Sequence, residues 1–258
     1  MHKILNKFLI IIGNVIGKVI KIFNPLQKIL FILNIYIYTS HYKNTFKHFG
    51  KNSKLKPSFR ELRGAKYIEI GNNCYFREKI KLTAWESYKD QTFTPVIKFG
   101  NNCIIGAYCH ITAINEITFG NNVGLGDFIT ISDNSHGSNS YEDIGELISN
   151  RPLSTGGKVI IEDSVWIGER SCILPGVKIG RGSIIGAGSV IRTNMPPYSI
   201  VIGNPAKVVG FVGTPQEIFD KEVEIYPEKD RLSLEVLEKN YHKYYTSKIK
   251  VIRDFLKN

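Results

Sequence analysis

The 258-residue sequence predicts a mainly β protein: a parallel β-helix solenoid built from hexapeptide repeats, with an N-terminal and a C-terminal α-helical region. Three observations support this fold class. Related hexads with Gly-Asn-Asn at their second to fourth positions occur in the first half of the chain, and both ends carry apolar residues at helical spacing. The third observation is isoleucine at unbroken six-residue spacing, at Ile161, Ile167, Ile173, Ile179, Ile185 and Ile191.

The period of six excludes the two common regular elements. An α-helix needs apolar residues every 3.6 positions, and a half-buried strand needs alternation over a short run. A chain that turns a corner every six residues does fit, because three short strands then complete one triangular coil. The leading aliphatic residue of each hexad points inward and stacks on its equivalent one coil away. The fifth position, as at Val165 and Ser171, is small or apolar because it lies inside near a corner.

The repeat divides the chain into three parts. Residues 1–66 are predicted to form a basic amphipathic helical segment, residues 67–209 the β-helix domain, and residues 210–258 C-terminal helices that cap the solenoid or tie subunits together. Two stretches leave the hexad frame. The slip near Ala113–Thr118 is short enough to be absorbed as a bulge. The excursion 133–158 is long, and long excursions in compact domains are usually functional or disordered.

The formal net charge of +11 is confined to the N-terminal segment. Residues 1–66 hold 13 Lys/Arg and a single acid, Glu61, which gives +12. The remaining 192 residues hold 21 Lys/Arg and 22 Asp/Glu, which gives −1. This distribution argues against a nucleic-acid partner, because the β-helix carries no basic excess.

The N-terminal segment is also strongly apolar. Its longest charge-free runs are 8–17 and 29–42, shorter than the roughly 18–20 residues that span a bilayer as a helix. Polar residues recur every seven positions opposite a broad Ile/Leu/Phe face, at Lys7, Asn14, Lys21 and Lys28. The pattern predicts an amphipathic helix, divided at Pro25, that binds an anionic membrane surface through residues 1–45. Packing against the protein or a sister subunit is the alternative.

The four cysteines indicate neither a disulfide framework nor a metal site. They show no CxxC pairing and no metal-ligand spacing. Cys74, Cys103 and Cys109 fall at the small fifth position of a hexad. We expect free thiols in a reducing cytoplasm, and no bound metal.

Three short motifs add information that the hexads alone lack. They are Trp166-Ile-Gly168, Leu174-Pro-Gly176 and Asn204-Pro-Ala-Lys207. With them, residues 97–209 resemble the hexapeptide-repeat, left-handed β-helix acyltransferases, in particular the maltose/galactoside and polysaccharide O-acetyltransferase branch. The resemblance implies a left-handed helix, a homotrimer with sites between neighbouring subunits, and acetyl-CoA as the co-substrate.

The resemblance also identifies a candidate general base. His136, in the sequence Asp133-Asn-Ser-His136-Gly137, matches the family's catalytic histidine. Histidine suits the removal of a proton from an attacking sugar hydroxyl, because its ordinary pKa of about 6.5 leaves it largely neutral in the cell. Asp133 is the predicted partner that orients the ring or stabilises the imidazolium. The alternative is that His136 is a polar loop residue.

Six residues match the family's acetyl-CoA site. Trp166 would form an aromatic wall against the acetyl-pantetheine arm, with burial at a subunit interface as the alternative. The backbone N–H of Glu169 would act as an oxyanion donor. The predicted groove residues are Ala187, Arg192, Thr193 and Lys207. The family commonly has Thr-Lys where this chain has Arg-Thr. His110 falls at an outward hexad position and is interpreted as a surface or interface residue.

The predicted function is transfer of acetyl from acetyl-CoA to a sugar hydroxyl of a cell-surface polysaccharide or lipid-linked precursor. The basic N-terminus predicts that this occurs in the cytoplasm, at the inner face of the cytoplasmic membrane. Three alternatives remain: acyl transfer from an acyl carrier protein, a non-catalytic β-helix, and a γ-class carbonic anhydrase. The last needs three histidines, whereas the repeat region contains only His110 and His136.

Overall fold

The computed structural model describes residues 2–138 and 140–244. The α-helices are α1 (His2–Tyr42), α2 (Pro215–Ile225) and α3 (Leu234–Tyr244). The first twelve strands are β1 (His48–Phe49), β2 (Lys54–Leu55), β3 (Glu61–Arg63), β4 (Ile68–Ile70), β5 (Tyr75–Phe76), β6 (Lys81–Ala84), β7 (Ser87–Tyr88), β8 (Gln91–Thr92), β9 (Val96–Phe99), β10 (Ile104–Ile105), β11 (His110–Ala113) and β12 (Glu116–Phe119).

The other strands are β13 (Gly124–Leu125), β14 (Thr130–Ser132), β15 (Asn134–His136), β16 (Leu153–Thr155), β17 (Val159–Ile161), β18 (Trp166–Ile167), β19 (Cys172–Ile173), β20 (Lys178–Ile179), β21 (Ile184–Ile185), β22 (Val190–Ile191), β23 (Ser199–Gly203) and β24 (Ala206–Phe211). Single 3₁₀ turns lie at Lys43–Thr45, Ala65–Tyr67, Tyr141–Asp143, Ile148–Asn150 and Glu228–Asp230.

Three sheets form the faces of a triangular prism. Sheet A has the order β1-β4-β9-β12-β17-β20, sheet B the order β2-β5-β10-β13-β18-β21-β23-β24, and sheet C the order β22-β19-β14-β11-β6-β3. All neighbours in these sheets are parallel except β23 and β24. The isoleucines pair one coil apart, as Ile161 with Ile179, Ile167 with Ile185, and Ile173 with Ile191. The predicted β-helix is confirmed.

The core runs along the prism axis and consists of the inward-pointing residues of each short strand. Phe99 stacks on Phe119 with ring centroids 4.5 Å apart and planes 9° apart, one coil above the other. Cys74, Cys103 and Cys109 are buried, as their fifth-position placement predicts, whereas Cys172 is partly exposed. Close packing of equivalent side chains therefore fills the solenoid without a central channel.

The Gly-Asn-Asn sequences explain one corner of the prism. A Cβ on Gly71 would lie 2.3 Å from the carbonyl oxygen of Gly100, so no side chain fits there. The second asparagine of each sequence, such as Asn73 or Asn102, has a left-handed backbone with φ near +57°. The Asn73 amide donates to Asn102, and Asn102 donates to Asn122, both at 3.1 Å. The corner is thus a ladder of stacked amides.

The N-terminal region differs from the prediction in two respects. Helix α1 is continuous through Pro25, so the expected division into two helices is wrong; proline removes one N–H and the helix hydrogen bonds around it persist. The β-helix begins at residue 48 rather than 67, because β1, β2 and β3 pair with β4, β5 and β6. This first coil was missed because its third strand departs from the six-residue spacing: Leu55 follows Phe49 by six residues, but Leu62 follows Leu55 by seven.

Among the described side chains of α1, those that pack on the solenoid lie in its last turns. Ile35 and Thr39 are buried, and the Tyr38 hydroxyl accepts a hydrogen bond from the Phe59 N–H at 2.6 Å. Earlier in the helix, large apolar side chains are more than half exposed, including those of Leu9, Ile16 and Ile29. Within residues 2–138 and 140–244, no helix is both long and apolar enough to cross a membrane.

The C-terminal helix α2 joins the solenoid at the corner where the chain turns from sheet A to sheet B, next to Arg181. Helix α2 starts with a capping box between Thr214 and Glu217. The fully buried carboxylate of Glu222 accepts hydrogen bonds from Tyr198, Arg181 and the Leu232 N–H, which joins α2 to the solenoid. Two helices are present as predicted, and residues 245–258 of the predicted region lie outside the described residues.

The slip at Ala113–Thr118 is a two-residue corner extension. Ile97 pairs with Ile117, 20 residues later instead of 18, and Ile114 and Asn115 form the extra corner. Both of their backbone N–H groups donate to the carboxylate of Asp133, at 2.9 and 2.8 Å. Asp133 is fully buried, so its carboxylate provides acceptors for these two N–H groups at a place that water does not reach.

We expect Asp133→Ala to lower the free energy of unfolding by about 2–4 kcal/mol, because it leaves two backbone donors without acceptors. Asp133→Asn keeps one acceptor oxygen, and it should cost less. Denaturant unfolding monitored by circular dichroism measures both values. Equal stability of Asp133→Ala and the wild-type protein would contradict this account of the corner.

Candidate functional site

His136 lies on a two-stranded ribbon that leaves the solenoid. Strand β15 pairs antiparallel with β16, and His136 lies opposite Leu153. The Thr155 hydroxyl donates to the Asp133 carbonyl at 2.7 Å, which closes the base of the ribbon. The imidazole of His136 is exposed, while Leu153 beside it is buried. The excursion predicted from the broken repeat therefore presents His136 at a fixed place on the surface.

A hairpin formed by β7 and β8 holds this ribbon from outside. The side-chain amide of Gln91 accepts a hydrogen bond from the Leu153 N–H at 2.7 Å and donates to the Leu153 carbonyl at 3.0 Å. The Gln91 amide thereby makes with Leu153 the two backbone hydrogen bonds that a residue of a third strand would make. The Tyr88 hydroxyl donates to the Ser149 carbonyl at 2.7 Å, and Lys89 donates to the Asn150 side chain at 2.8 Å.

A cleft of about 270 Å³ lies between the hairpin, the ribbon and the outer face of sheet C. Tyr88 contacts His136 edge-on, with ring centroids 5.4 Å apart, and Trp85 contacts Tyr88 at 6.1 Å. The floor is polar, because Lys81, His110 and Thr130 are neighbours on adjacent strands of sheet C. His136 is thus at the edge of a cleft that has aromatic walls and hydrogen-bonding groups.

His110 lies on the outer face of sheet C, as its repeat position predicts. It is partly buried and shares the cleft with His136. Burial lowers the pKa of His110, and the nearby Lys81 and Arg60 lower it further, while Glu61 opposes them. These effects favour the neutral form of the ring, which both donates and accepts hydrogen bonds.

The Asp133 carboxylate is hydrogen-bonded to groups other than His136. Its oxygens accept from the N–H groups of Ile114 and Asn115 and from the Asn134 amide. Among the described residues, no hydrogen bond joins Asp133 to His136. Its predicted partnership with the imidazole stays a prediction, and its observed contacts fix the corner from which β15 starts.

The residues predicted to bind acetyl-CoA lie elsewhere on the prism. Trp166 projects from sheet B, as its repeat position predicts, and is 63% exposed. Glu169 and Ala187 occupy the same corner, between sheets B and C, one coil apart. No described residue accepts a hydrogen bond from the Glu169 N–H. Lys207 is exposed on β24, at the far edge of sheet B.

Arg192 and Thr193 belong to a different corner. Both follow β22 and are exposed where the chain turns from sheet C to sheet A. His136 leaves the solenoid at this same corner, two coils away. The structure therefore divides the predicted residues into two groups, one along sheet B and its corner with sheet C, the other at the corner of sheets C and A.

Sequence reasoning missed the hairpin and the cleft residues Trp85, Tyr88 and Gln91. A signal was available, because Ile68 pairs with Ile97, 29 residues later, which leaves 11 residues beyond one regular coil. Among residues 2–138 and 140–244, no group of three or more His, Cys, Asp or Glu side chains is placed to hold a metal ion.

Comparisons with known proteins agree with this architecture. Residues 158–193 match the family model described as bacterial transferase hexapeptide (six repeats). The chain is 30% identical over 146 residues to the putative lipopolysaccharide biosynthesis O-acetyl transferase WbbJ of Escherichia coli, covering 53% of this chain and 74% of that protein. A putative acetyltransferase of Schizosaccharomyces pombe is 34% identical over 113 residues, covering 44% of this chain and 52% of the relative. The match thus spans only about half of that second relative.

A solved structure with the same fold is AntD, an N-acyltransferase from Bacillus cereus. It was crystallised as a mutant with dTDP-4-amino-4,6-dideoxyglucose and coenzyme A. The TM-score is 0.57 at 21% identity, over 72% of this chain and 94% of AntD. At this identity the likeness concerns the fold alone.

Removal of the Gln91 amide should loosen the ribbon that carries His136. We expect Gln91→Ala to speed amide hydrogen exchange at Leu153 by up to roughly tenfold, the effect of losing one or two neutral hydrogen bonds. Gln91→Glu keeps an acceptor for the Leu153 N–H and should show a smaller increase. Exchange measured by mass spectrometry on peptides covering 149–156 tests this, and unchanged exchange in Gln91→Ala would contradict the proposed clamp.

Proposed function

Because the chain belongs to the hexapeptide-repeat transferases, with their left-handed β-helix, we propose that it transfers acetyl from acetyl-CoA to a sugar hydroxyl. The acceptor we propose is a cell-surface polysaccharide or its lipid-linked oligosaccharide precursor. The similarity to WbbJ, a putative lipopolysaccharide biosynthesis O-acetyl transferase, supports this class of acceptor. The observation that carries the proposal is the exposed His136, held by the ribbon and hairpin beside a cleft.

The reaction needs one proton transfer and one acyl transfer. His136 takes the proton from the acceptor hydroxyl as its oxygen attacks the thioester carbonyl carbon. The carbonyl oxygen becomes an oxyanion, which the Glu169 N–H, without an acceptor among the described residues, stabilises. Collapse of the tetrahedral intermediate re-forms the C=O bond and breaks the C–S bond. The proton on His136 passes to the departing thiolate, which leaves as coenzyme A, and the sugar carries the acetyl ester.

Acetyl-CoA would lie along the exposed surface that contains Trp166, Ala187 and Lys207. The Trp166 indole gives an apolar wall for the pantetheine arm, and the small Ala187 side chain allows close approach. Lys207 supplies charge for phosphate groups, and Arg192 with Thr193 does so from the other corner. Since the two groups of residues lie on different edges of one protomer, we propose a homotrimer with each site between neighbouring subunits.

Asp133 would act on His136 through the backbone. Its carboxylate holds the corner at Ile114 and Asn115, and its own carbonyl anchors Thr155 of the paired strand. Both contacts fix the base of the ribbon. Asp133 is therefore proposed as a positioning residue, and contact with the imidazole is not required for this role.

We expect His136→Ala to slow acetyl transfer by about 10²–10⁴-fold, the usual contribution of a general base. Release of the coenzyme A thiol is measured with acetyl-CoA and glycans extracted from cells that lack this protein. The matched control is His48→Ala, which removes an exposed histidine from the outer face of sheet A and should keep the wild-type rate. A wild-type rate for His136→Ala would remove the proposed mechanism.

Helix α1 is proposed to bring the enzyme to the cytoplasmic face of an anionic membrane. Its exposed apolar residues, such as Leu9 and Ile29, lie on the same helix as the exposed Lys21 and Lys28. Apolar burial and attraction to anionic lipids act together on such a helix. Its last turns stay packed on the solenoid through Ile35 and Thr39, so the helix remains joined to the catalytic domain.

The double variant Lys21→Gln/Lys28→Gln should weaken binding to vesicles that contain phosphatidylserine by about 30-fold, at about 1 kcal/mol per lysine. Co-sedimentation measures the bound fraction. The control variant Lys229→Gln/Lys239→Gln makes the same charge change at exposed C-terminal positions and should bind normally. Equal losses in both variants would show that net charge, and not α1, directs binding.

A further inference from the structure

The cleft beside His136 has features that go beyond a place for the general base. Trp85 and Tyr88 form a continuous aromatic wall that ends at the His136 ring, through edge-on contacts of 6.1 and 5.4 Å. The wall is fixed on both sides. The Arg63 guanidinium lies 3.9 Å from the Trp85 ring centroid, and the Tyr88 hydroxyl is bonded to the Ser149 carbonyl.

The opposite side of the cleft is polar and almost uncharged. Lys81 is the cation on the floor, and it pairs with Glu61 at 2.8 Å, so its charge is compensated. His110 lies next to Lys81 on the adjacent strand, and Thr130 follows on the next. No hydrogen bond joins the His110 ring to any residue in the described part of the chain. Its nitrogens are thus available to a ligand.

We propose that this cleft binds the acceptor as an uncharged sugar ring, with Trp85 and Tyr88 against its apolar face and His110 hydrogen-bonded to a hydroxyl next to the reacting one. The inference rests on the proposed function, since it places the nucleophile within reach of His136. A sugar ring presents C–H groups on its face and hydroxyls at its edge, and the cleft offers an aromatic surface and a polar floor in the matching arrangement.

The proposal of an uncharged sugar follows from the ion pairing of the residues that line the cleft. An anionic sugar would need a free cation among the residues that line the cleft, whereas the Lys81 ammonium, the lysine of the described lining, already pairs with Glu61. A neutral imidazole at His110 both donates to and accepts from a hydroxyl, which suits an alcohol better than a carboxylate. The volume of about 270 Å³ is at the small end of ligand cavities, which favours a single ring over a longer chain.

Binding can be tested without turnover, because the chain has two tryptophans, Trp85 and Trp166. In the full-length Trp166→Phe protein, Trp85 is the sole indole fluorophore. Methyl glycosides of glucose, galactose, mannose, rhamnose and N-acetylglucosamine are titrated as probes, with methyl glucuronide as the charged comparison. We expect saturable fluorescence changes with at least one neutral glycoside and weaker binding of the glucuronide. Tighter binding of the glucuronide than of every neutral probe overturns the uncharged class.

His110 is tested in the same background. His110→Ala should raise the Kd of the best neutral glycoside by roughly threefold to tenfold, as expected for one neutral hydrogen bond. His110→Gln keeps a donor and an acceptor and should recover most of the affinity, while His48→Ala should have no effect. An unchanged Kd in His110→Ala, or no saturable change with any neutral probe, overturns the proposal.

Kinetics separate this inference from the proposed function. In steady-state assays of the full-length enzyme, His110→Ala should raise KM for the acceptor and leave KM for acetyl-CoA unchanged. A wild-type acceptor KM in His110→Ala overturns the subsite while the acetyltransferase proposal stands. Glycoside binding that depends on His110, without acetyl transfer to any sugar, supports the subsite and rejects the proposed reaction.

Discussion

Each coil of this protein is hydrogen-bonded to the coil before it and the coil after it, and this pairing constrains every other feature. Parallel pairing aligns equivalent residues, so Ile161, Ile179 and their counterparts must stack. A shift of one residue would move each inward side chain to the outside. The corners must also stack, which leaves no room for a side chain at Gly71 and requires a left-handed backbone at Asn73. The six-residue period of the sequence is a consequence of this pairing.

Insertions in such a helix can only be placed where the chain leaves the sheets, and here three of them occupy one corner. The hairpin after β6, the two-residue extension after β11 and the ribbon after β14 all follow a strand of sheet C and precede one of sheet A. Because these coils are consecutive, the insertions stack as well. Gln91 of the hairpin accepts a hydrogen bond from the Leu153 N–H of the ribbon. Asp133, where the ribbon starts, accepts from the two N–H groups of the corner extension. The candidate site is thus assembled from contacts between insertions, on a scaffold that fixes their spacing.

The difference between periodic coils and aperiodic insertions explains how much of the structure could be predicted from the sequence. The sheets and core followed from the repeat, since stacking forces periodicity on residues such as Ile173 and Ile191. His136 was identifiable because the period stops and resumes around it. The clamp by Gln91 and the position of His110 in the cleft were not, because contacts between aperiodic insertions leave no pattern along the chain. The first coil was missed for a related reason: its strands pair with the next coil, but Leu62 follows Leu55 by seven residues and not by six.

The proposed chemistry also places a demand on assembly. The Glu169 N–H and the His136 imidazole must approach the same acyl carbon, since the oxyanion and the attacking oxygen are bonded to it. In one protomer these groups lie at different corners of the prism, with the outer face of sheet C between them. A second protomer that brings its B–C corner to the C–A corner of the first satisfies the demand, and repetition of this contact around a threefold axis closes a ring. The coils that carry Trp166, Glu169 and Ala187 keep the regular 18-residue spacing. The B–C corner of one protomer, which has no insertions at these coils, would then face the C–A corner of the next, where all three insertions project. Each complete site would contain one corner of each type.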